Sequence, residues 1–280
     1  MKNVLEWLEA TVEKYPDKPA FSDTESSITF RQVYDIARNT GAYLVEQLGV
    51  DRTPVAVFAG RKMVTPAYFL GVAYAGRPYA PIDASLPDKR IEKILENLCP
   101  RAIVADRESL EHVESIVDEL AKAEGFDRPQ IFIAEDISCF EQVACADSNC
   151  KISESAGDAV TDSENDTDGG VVAGCAGKKD DSSLDMLAAV RRQMSMTDPL
   201  YIIYTSGSTG NPKGVMTSHL SLMTYINAYC DVMHIEESDV LGNQSPLDYI
   251  AAIRDIYLPL KTGCSTAIIP KEYFMEPNAL

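Results

Sequence analysis

The chain is poor in the residues that build metal centres and disulfide frameworks. It has three histidines, one tryptophan and no Cys-x-x-Cys pair. Seven cysteines are present, an odd number without framework spacing, which points to reduced thiols in a cytoplasm rather than a secreted scaffold. Cys139, Cys145 and Cys150 lie near one another in sequence, but with no histidine close by they are read as ordinary thiols, and no metal ligand is assigned. Positive charge is scarce too. Lys and Arg number 25 against 43 Asp and Glu, a net charge of -18, which argues against nucleic acid or an anionic membrane as partner. No apolar run reaches the length of a membrane span. The first residues, Met1 to Glu9, place acidic groups where a signal peptide needs an apolar core.

What is present is an ordinary globular composition, with 45% apolar residues, and a regular alternation of apolar runs and helical patterns. Ala20–Ser22 and Ile28–Phe30 read as a small hairpin. Strands are predicted at 55–58, 79–82, 102–104 and 130–133. Between them, helices are predicted at 31–48, 64–75, 87–98 and 109–123. This β–α alternation predicts an α/β fold of mainly parallel sheets with helices on both faces. A first α/β subdomain is placed at 1–134. From 135 to 185 the pattern lapses: 13 acidic residues face 3 lysines, a net of -10, with Ser, Gly, Ala and Thr between them. Such a stretch buries too little apolar surface to offset its ordering entropy, and is expected to be a disordered insertion or, alternatively, an acidic docking segment. A second α/β subdomain is placed at 186–280, with strands at 200–204, 215–217, 240–241 and 265–269 and helices at 219–233 and 249–260.

One run within it carries chemistry. Tyr201-Ile-Ile-Tyr-Thr-Ser-Gly-Ser-Thr-Gly-Asn-Pro-Lys-Gly-Val215 is a β-type segment entering a loop of glycines and hydroxyls that closes on one Pro-Lys-Gly. Gly207 and Gly210 let backbone N–H groups approach an anion, Thr205, Ser206, Ser208 and Thr209 add hydroxyl donors, and Lys213 adds a mobile charge. That is what a polyphosphate site needs. The spelling is not that of a Walker loop, in which Gly-Lys precedes Ser or Thr and opens a helix. The alternative reading is a plain surface turn between two strands.

This loop resembles the signature loop of the adenylate-forming (AMP-binding) superfamily, which includes acyl-CoA synthetases, luciferases and the adenylation domains of nonribosomal peptide synthetases. Further stretches extend the resemblance. Ile28 to Val33 is similar to the family's early threonine–aromatic motif. Ala75-Gly-Arg-Pro-Tyr-Ala-Pro-Ile-Asp83, continuing to Pro87, is similar to its glycine-to-proline motif, where Asp83 reads as a turn or cap acceptor. These details resemble the amino-acid-activating and D-alanine–carrier-protein ligase branch.

The resemblance implies activation of a carboxylic acid by ATP with Mg2+, release of pyrophosphate, and passage of the acyl group to a carrier protein or CoA. It assigns the ATP phosphates to Thr205, Ser206, Gly207, Ser208, Thr209, Gly210 and Lys213. It aligns Asp255-Ile-Tyr257 so that Tyr249 and Ile250 fall in the acid pocket. Ile250 then stands where relatives carry the aspartate that holds a substrate ammonium. This favours an acid without an α-amino group, unless the register slips by two and Asp248, otherwise read as a helix N-cap, takes that part. The family's adenine and metal motif, ribose aspartate, hinge and catalytic lysine do not occur up to Leu280. The resemblance therefore implies an N-terminal portion, from a truncated gene, a split gene or an incomplete gene model, expected to turn over slowly or not at all without a separately encoded C-terminal half. The rival reading is a non-catalytic binding or regulatory fragment, or a decayed gene.

Overall fold

The structure is a computed structural model that describes residues 2–139, 181–206, 211–271 and 273. Two sheets organise them. The first has β6 (Gln130–Ile133), β5 (Ala102–Ala105), β3 (Val55–Phe58), β4 (Tyr79–Ile82), β7 (Pro199–Ser206) and β8 (Pro212–Ser218) in that spatial order. All its pairings are parallel except the β7–β8 hairpin. The second is smaller: β2 (Ser27–Thr29), β1 (Pro19–Ser22), β10 (Ser265–Ile268) and β9 (Val240–Asn243). There β1 joins β2 in an antiparallel hairpin and runs parallel to β10, which runs parallel to β9.

Burial on both faces explains the unbroken apolar strands. In β3, Val55 and Val57 enter one core, while Ala56 and Phe58 enter another, as alternate residues of a strand must. The second core is closed by α4 (Asp88–Leu98) and α5 (Leu110–Leu120), through Ile91, Ile94, Leu95, Val113, Ile116 and Val117. The first is closed by α2 (Phe30–Leu48) and α3 (Thr65–Tyr74), and continues to α1 (Leu5–Lys14), α9 (Ala252–Thr262) and the small sheet. Helices on both faces are thus observed as expected. At their contact, Gly71 of α3 lies so near α2 that a Cβ there would come within 2.5 Å of Thr40.

The resembling motifs have local reasons. Thr29 caps α2 by accepting the Gln32 N–H (3.2 Å), and the Gln32 side chain accepts the Thr29 N–H (2.8 Å), a complete capping box. Asp83 accepts the Ser85 N–H at 2.7 Å, as a turn acceptor does. Arg77 is fully buried: it ion-pairs with Asp51 at 2.5 Å and donates to the carbonyls of Leu48, Gly49 and Thr53.

Two expectations are corrected. Order extends into both ends of the 135–185 stretch, because α6 (Ala134–Ser138) and α7 (Asp181–Gln193) lie there. Ile137 of α6 is buried and the Ser138 carbonyl accepts from Asn39, while Leu187 and Val190 of α7 enter the first core. Residues 140–180 lie outside the described residues. The helix expected from 249 begins at 252, and its N-cap position is Ala251, which makes no side-chain cap, so Asp248 is not a cap. The remaining helix, α8 (His219–Met233), has the predicted bounds; Ser218 caps it by accepting the Ser221 N–H.

Candidate functional site

The described flanks of the glycine-rich loop form the β7–β8 hairpin at the carboxyl end of the larger sheet. Thr205 lies opposite Lys213 and Ser206 opposite Pro212; Thr205, Ser206 and Lys213 are exposed and Pro212 half-buried, and the Thr205 hydroxyl donates to the Lys213 carbonyl at 3.5 Å. Thr205, Ser206 and Lys213 are therefore brought together. Gly207, Ser208, Thr209 and Gly210 lie outside the described residues. Gly214 sits opposite Tyr204, where a Cβ would come within 2.9 Å of Ile202 Cγ2 and 3.1 Å of the Tyr204 ring. The glycine of Pro-Lys-Gly is thus required by close cross-strand packing. Helix α4 braces the hairpin from below. Asn97 Oδ1 accepts the Tyr204 hydroxyl at 2.9 Å, and Lys93 Nζ donates to Asn211 Oδ1 at 3.2 Å, putting a second ammonium at the foot of the loop.

A cleft of about 620 Å³ opens between the two sheets. Its walls are the segments that follow parallel strands: 61–64 after β3, Asp83 and Ser85 after β4, Glu135 after β6, 246–248 after β9, and Pro270 and Lys271 after β10. Open α/β sheets bind ligands at this end of their strands. The β7–β8 hairpin and the cleft thus share one end of the larger sheet.

The cleft holds several shifted groups. Burial, then the charge of Asp83, raises the Asp248 carboxyl above its ordinary value. Burial likewise raises Glu135, with Asp106 adding to it. Asp106, 1% exposed, lies behind the cleft wall, where it accepts from the Gly60 N–H and from Lys62. Its burial pushes the carboxyl up, but the Gly60 N–H, Ser109 and Lys62 outweigh that and hold it below the carboxylate norm. Lys62 is lowered by burial but raised overall by Glu108 and Asp106, which it meets at 3.0 and 3.1 Å.

Of the pocket residues expected from sequence, Asp248 lines the cleft. Tyr249 and Ile250 are 56% and 52% exposed and do not line it. Sequence reasoning passed over Arg61, Lys62, Asp106 and Lys93. The first two were within reach, since Gly60-Arg-Lys directly follows a buried strand, where α/β folds place ligand contacts. Among the described residues no group of three or more His, Cys, Asp or Glu side chains is placed to hold a metal ion. Cys99, Cys139, Cys230 and Cys264 take part in no disulfide among the described residues.

Residues 8–280 match the family described as AMP-binding enzyme. The chain belongs to that family. A D-alanine--D-alanyl carrier protein ligase of Bacillus licheniformis is 26% identical over 274 residues, covering 96% of this chain and 44% of the relative. The ligase of the same name from Listeria welshimeri is 27% identical over 277 residues, covering 99% and 44%. The chain thus spans less than half the length of these curated relatives. Among solved structures, VinN superposes with a TM-score of 0.67 at 16% identity, over 96% of this chain and 57% of its own. A four-domain nonribosomal peptide synthetase bound to AMP and glycine gives 0.67 at 18% identity, over 99% of this chain and 16% of its own. These structural likenesses show the fold: that of the N-terminal region of AMP-binding enzymes.

Proposed function

We propose that this chain carries part of an enzyme that activates a carboxylic acid with ATP. A carboxylate oxygen bonds to the α-phosphorus, the bond to the β-phosphate oxygen breaks, and pyrophosphate leaves an acyl-adenylate. The observation that carries this reading is the β7–β8 hairpin, which brings Thr205, Ser206 and Lys213 together at the same end of the sheet as the cleft, in a chain whose family match covers 8–280. Thr205 to Gly210 would hold the β and γ phosphates, and Lys213 would neutralise charge that builds on them as pyrophosphate departs. Such a step is accelerated mainly by positioning and by fixed charge. No step is assigned to Mg2+, which would arrive with the nucleotide.

The acid would enter the cleft between the loop after β4 and the segment after β9. Asp248 lines that cleft while Ile250 faces solvent, which supports the alternative in which Asp248 meets a substrate ammonium. A desolvated carboxylate gains from a cationic partner. The names of the relatives, ligases of D-alanine to a carrier protein, agree with an amino acid followed by thioester formation on a carrier protein, with CoA as the other acceptor. A separately encoded C-terminal half remains part of the proposal. No helix among the described residues is long and apolar enough to cross a membrane, and a cytoplasmic setting is proposed from the thiols.

The test is hydroxylamine trapping. The native protein is incubated with ATP and a panel of acids, and acyl hydroxamates are identified by mass. An amino acyl hydroxamate formed only with ATP supports the reading. ATP consumption without any hydroxamate contradicts it.

A further inference from the structure

The loop after β3 is tied in three directions. Gly60 donates its N–H to Asp106 Oδ2 at 2.9 Å, fixing the loop to the end of β5. Met63 donates its N–H to Asp23 Oδ2 at 3.4 Å, fixing it to the β1–β2 turn of the other sheet. Between them, Arg61 reaches across to the end of β9. Its Nη2 donates to the Asn243 carbonyl (2.8 Å) and to Asn243 Oδ1 (3.0 Å), and its Nη1 donates to the Gln244 carbonyl (3.1 Å). Asn243 is 1% exposed, and its side-chain amide donates to Asp255 Oδ2 at 3.0 Å, which turns Oδ1 toward the guanidinium. One planar cation thus satisfies three acceptors at the point where the chain leaves β9 for the segment carrying Asp248. A lysine there brings a single ammonium without the fork that spans several oxygens.

We propose that Arg61 is a positioning residue: it locks residues 244–251 against the larger sheet and so sets the acid-side wall of the cleft. This rests on the reading of that cleft as the acid site. Asp248 lines the cleft from this segment, and the segment's internal bonds, Tyr249 N–H to the Pro246 carbonyl (3.1 Å) and Ala252 N–H to the Tyr249 carbonyl (3.0 Å), form a short turn. Without the guanidinium, three acceptors at its base lose their shared donor and the turn opens locally.

Hydrogen exchange on the native protein tests this, comparing wild type with Arg61→Ala and Arg61→Lys. The Tyr249 and Ala252 amides should exchange roughly tenfold faster in Arg61→Ala, with Arg61→Lys between the two and the β3 and β5 amides unchanged. In hydroxamate formation the KM for the acid should rise while that for ATP stays. Unchanged exchange in 244–251, or protection lost equally throughout both sheets, overturns the proposal. If Arg61→Ala does not fold, Arg61→Lys carries the same comparison. If wild type, assayed as its cells make it together with any chain that completes it, forms no hydroxamate with any acid, the functional reading falls, and the exchange data still decide the role of Arg61.

Discussion

Gly214→Ala separates what the Pro-Lys-Gly glycine does from what the lysine beside it does. Gly214 is not at a positive φ, so alanine meets no backbone strain there. The obstacle is contact. The new Cβ comes within 2.9 Å of Ile202 Cγ2 and 3.1 Å of Tyr204 Cζ. Ile202 Cγ2 sits on a β-branched, buried side chain with little room to move. Overpacking of this kind costs about 1–3 kcal/mol, and the lower backbone entropy of unfolded alanine returns about 0.4–1 kcal/mol. A net loss of about 1–2 kcal/mol follows from these two terms, with crowding the larger. Urea denaturation followed by circular dichroism reads it directly. In an Ile202→Ala background the nearest obstruction is gone, and the Gly214→Ala penalty should fall by half or more. A neutral Gly214→Ala, or the same penalty in both backgrounds, refutes the packing account and returns the glycine to a direct role at the loop.

Three further outcomes are expected. ATP should protect the 205–213 hairpin from limited proteolysis, and Lys213→Ala should weaken that protection by about 10- to 100-fold in nucleotide concentration, the worth of a charge-assisted contact; equal cleavage with and without ATP contradicts it. Asp248→Asn should lower activation of an amino acid by roughly a hundredfold or more while sparing its des-amino analogue; an equal loss for both acids removes Asp248 from ammonium recognition and restores the inference from Ile250. His219 is buried, which lowers its pKa from 6.5 to about 4, and its Nδ1 accepts the Val4 N–H at 3.5 Å. The unfolded chain takes up this proton first, so the stability it supports is complete above about pH 6.5 and falls as pH drops toward 4, by about 3 kcal/mol in all. Denaturation midpoints of wild type and His219→Asn should diverge across that window, and parallel curves count against it.

The strands and helices that alternate up to residue 133 were legible because each has its own period and its own stop. The Thr29–Gln32 capping box, the apolar run 55–58 and the hairpin that flanks the glycine loop are all local patterns. Pairings that span the chain were not legible. β1 lies beside β10, and Phe21 opposite Thr266, because of packing around α1 and α9 that no local window records. The same holds at the site. Whether Asp248 or Ile250 enters the cleft depends on a turn at 246–252 whose bonds shift the start of α9 by three residues from the expected 249. Arg61 reads from sequence as one more basic residue after a strand; its acceptors lie 182 and 183 positions away.

Acid-dependent exchange of labelled pyrophosphate into ATP by the native protein, as its cells make it, bears most directly on the central claim. It reports reversible formation of an acyl-adenylate and is silent for simple ATP hydrolysis. The account predicts exchange that requires an acid, is strongest with an amino acid, and is largely lost in Lys213→Ala. Exchange that proceeds equally without any acid, or ATP turnover with no exchange for any acid tried, would contradict it.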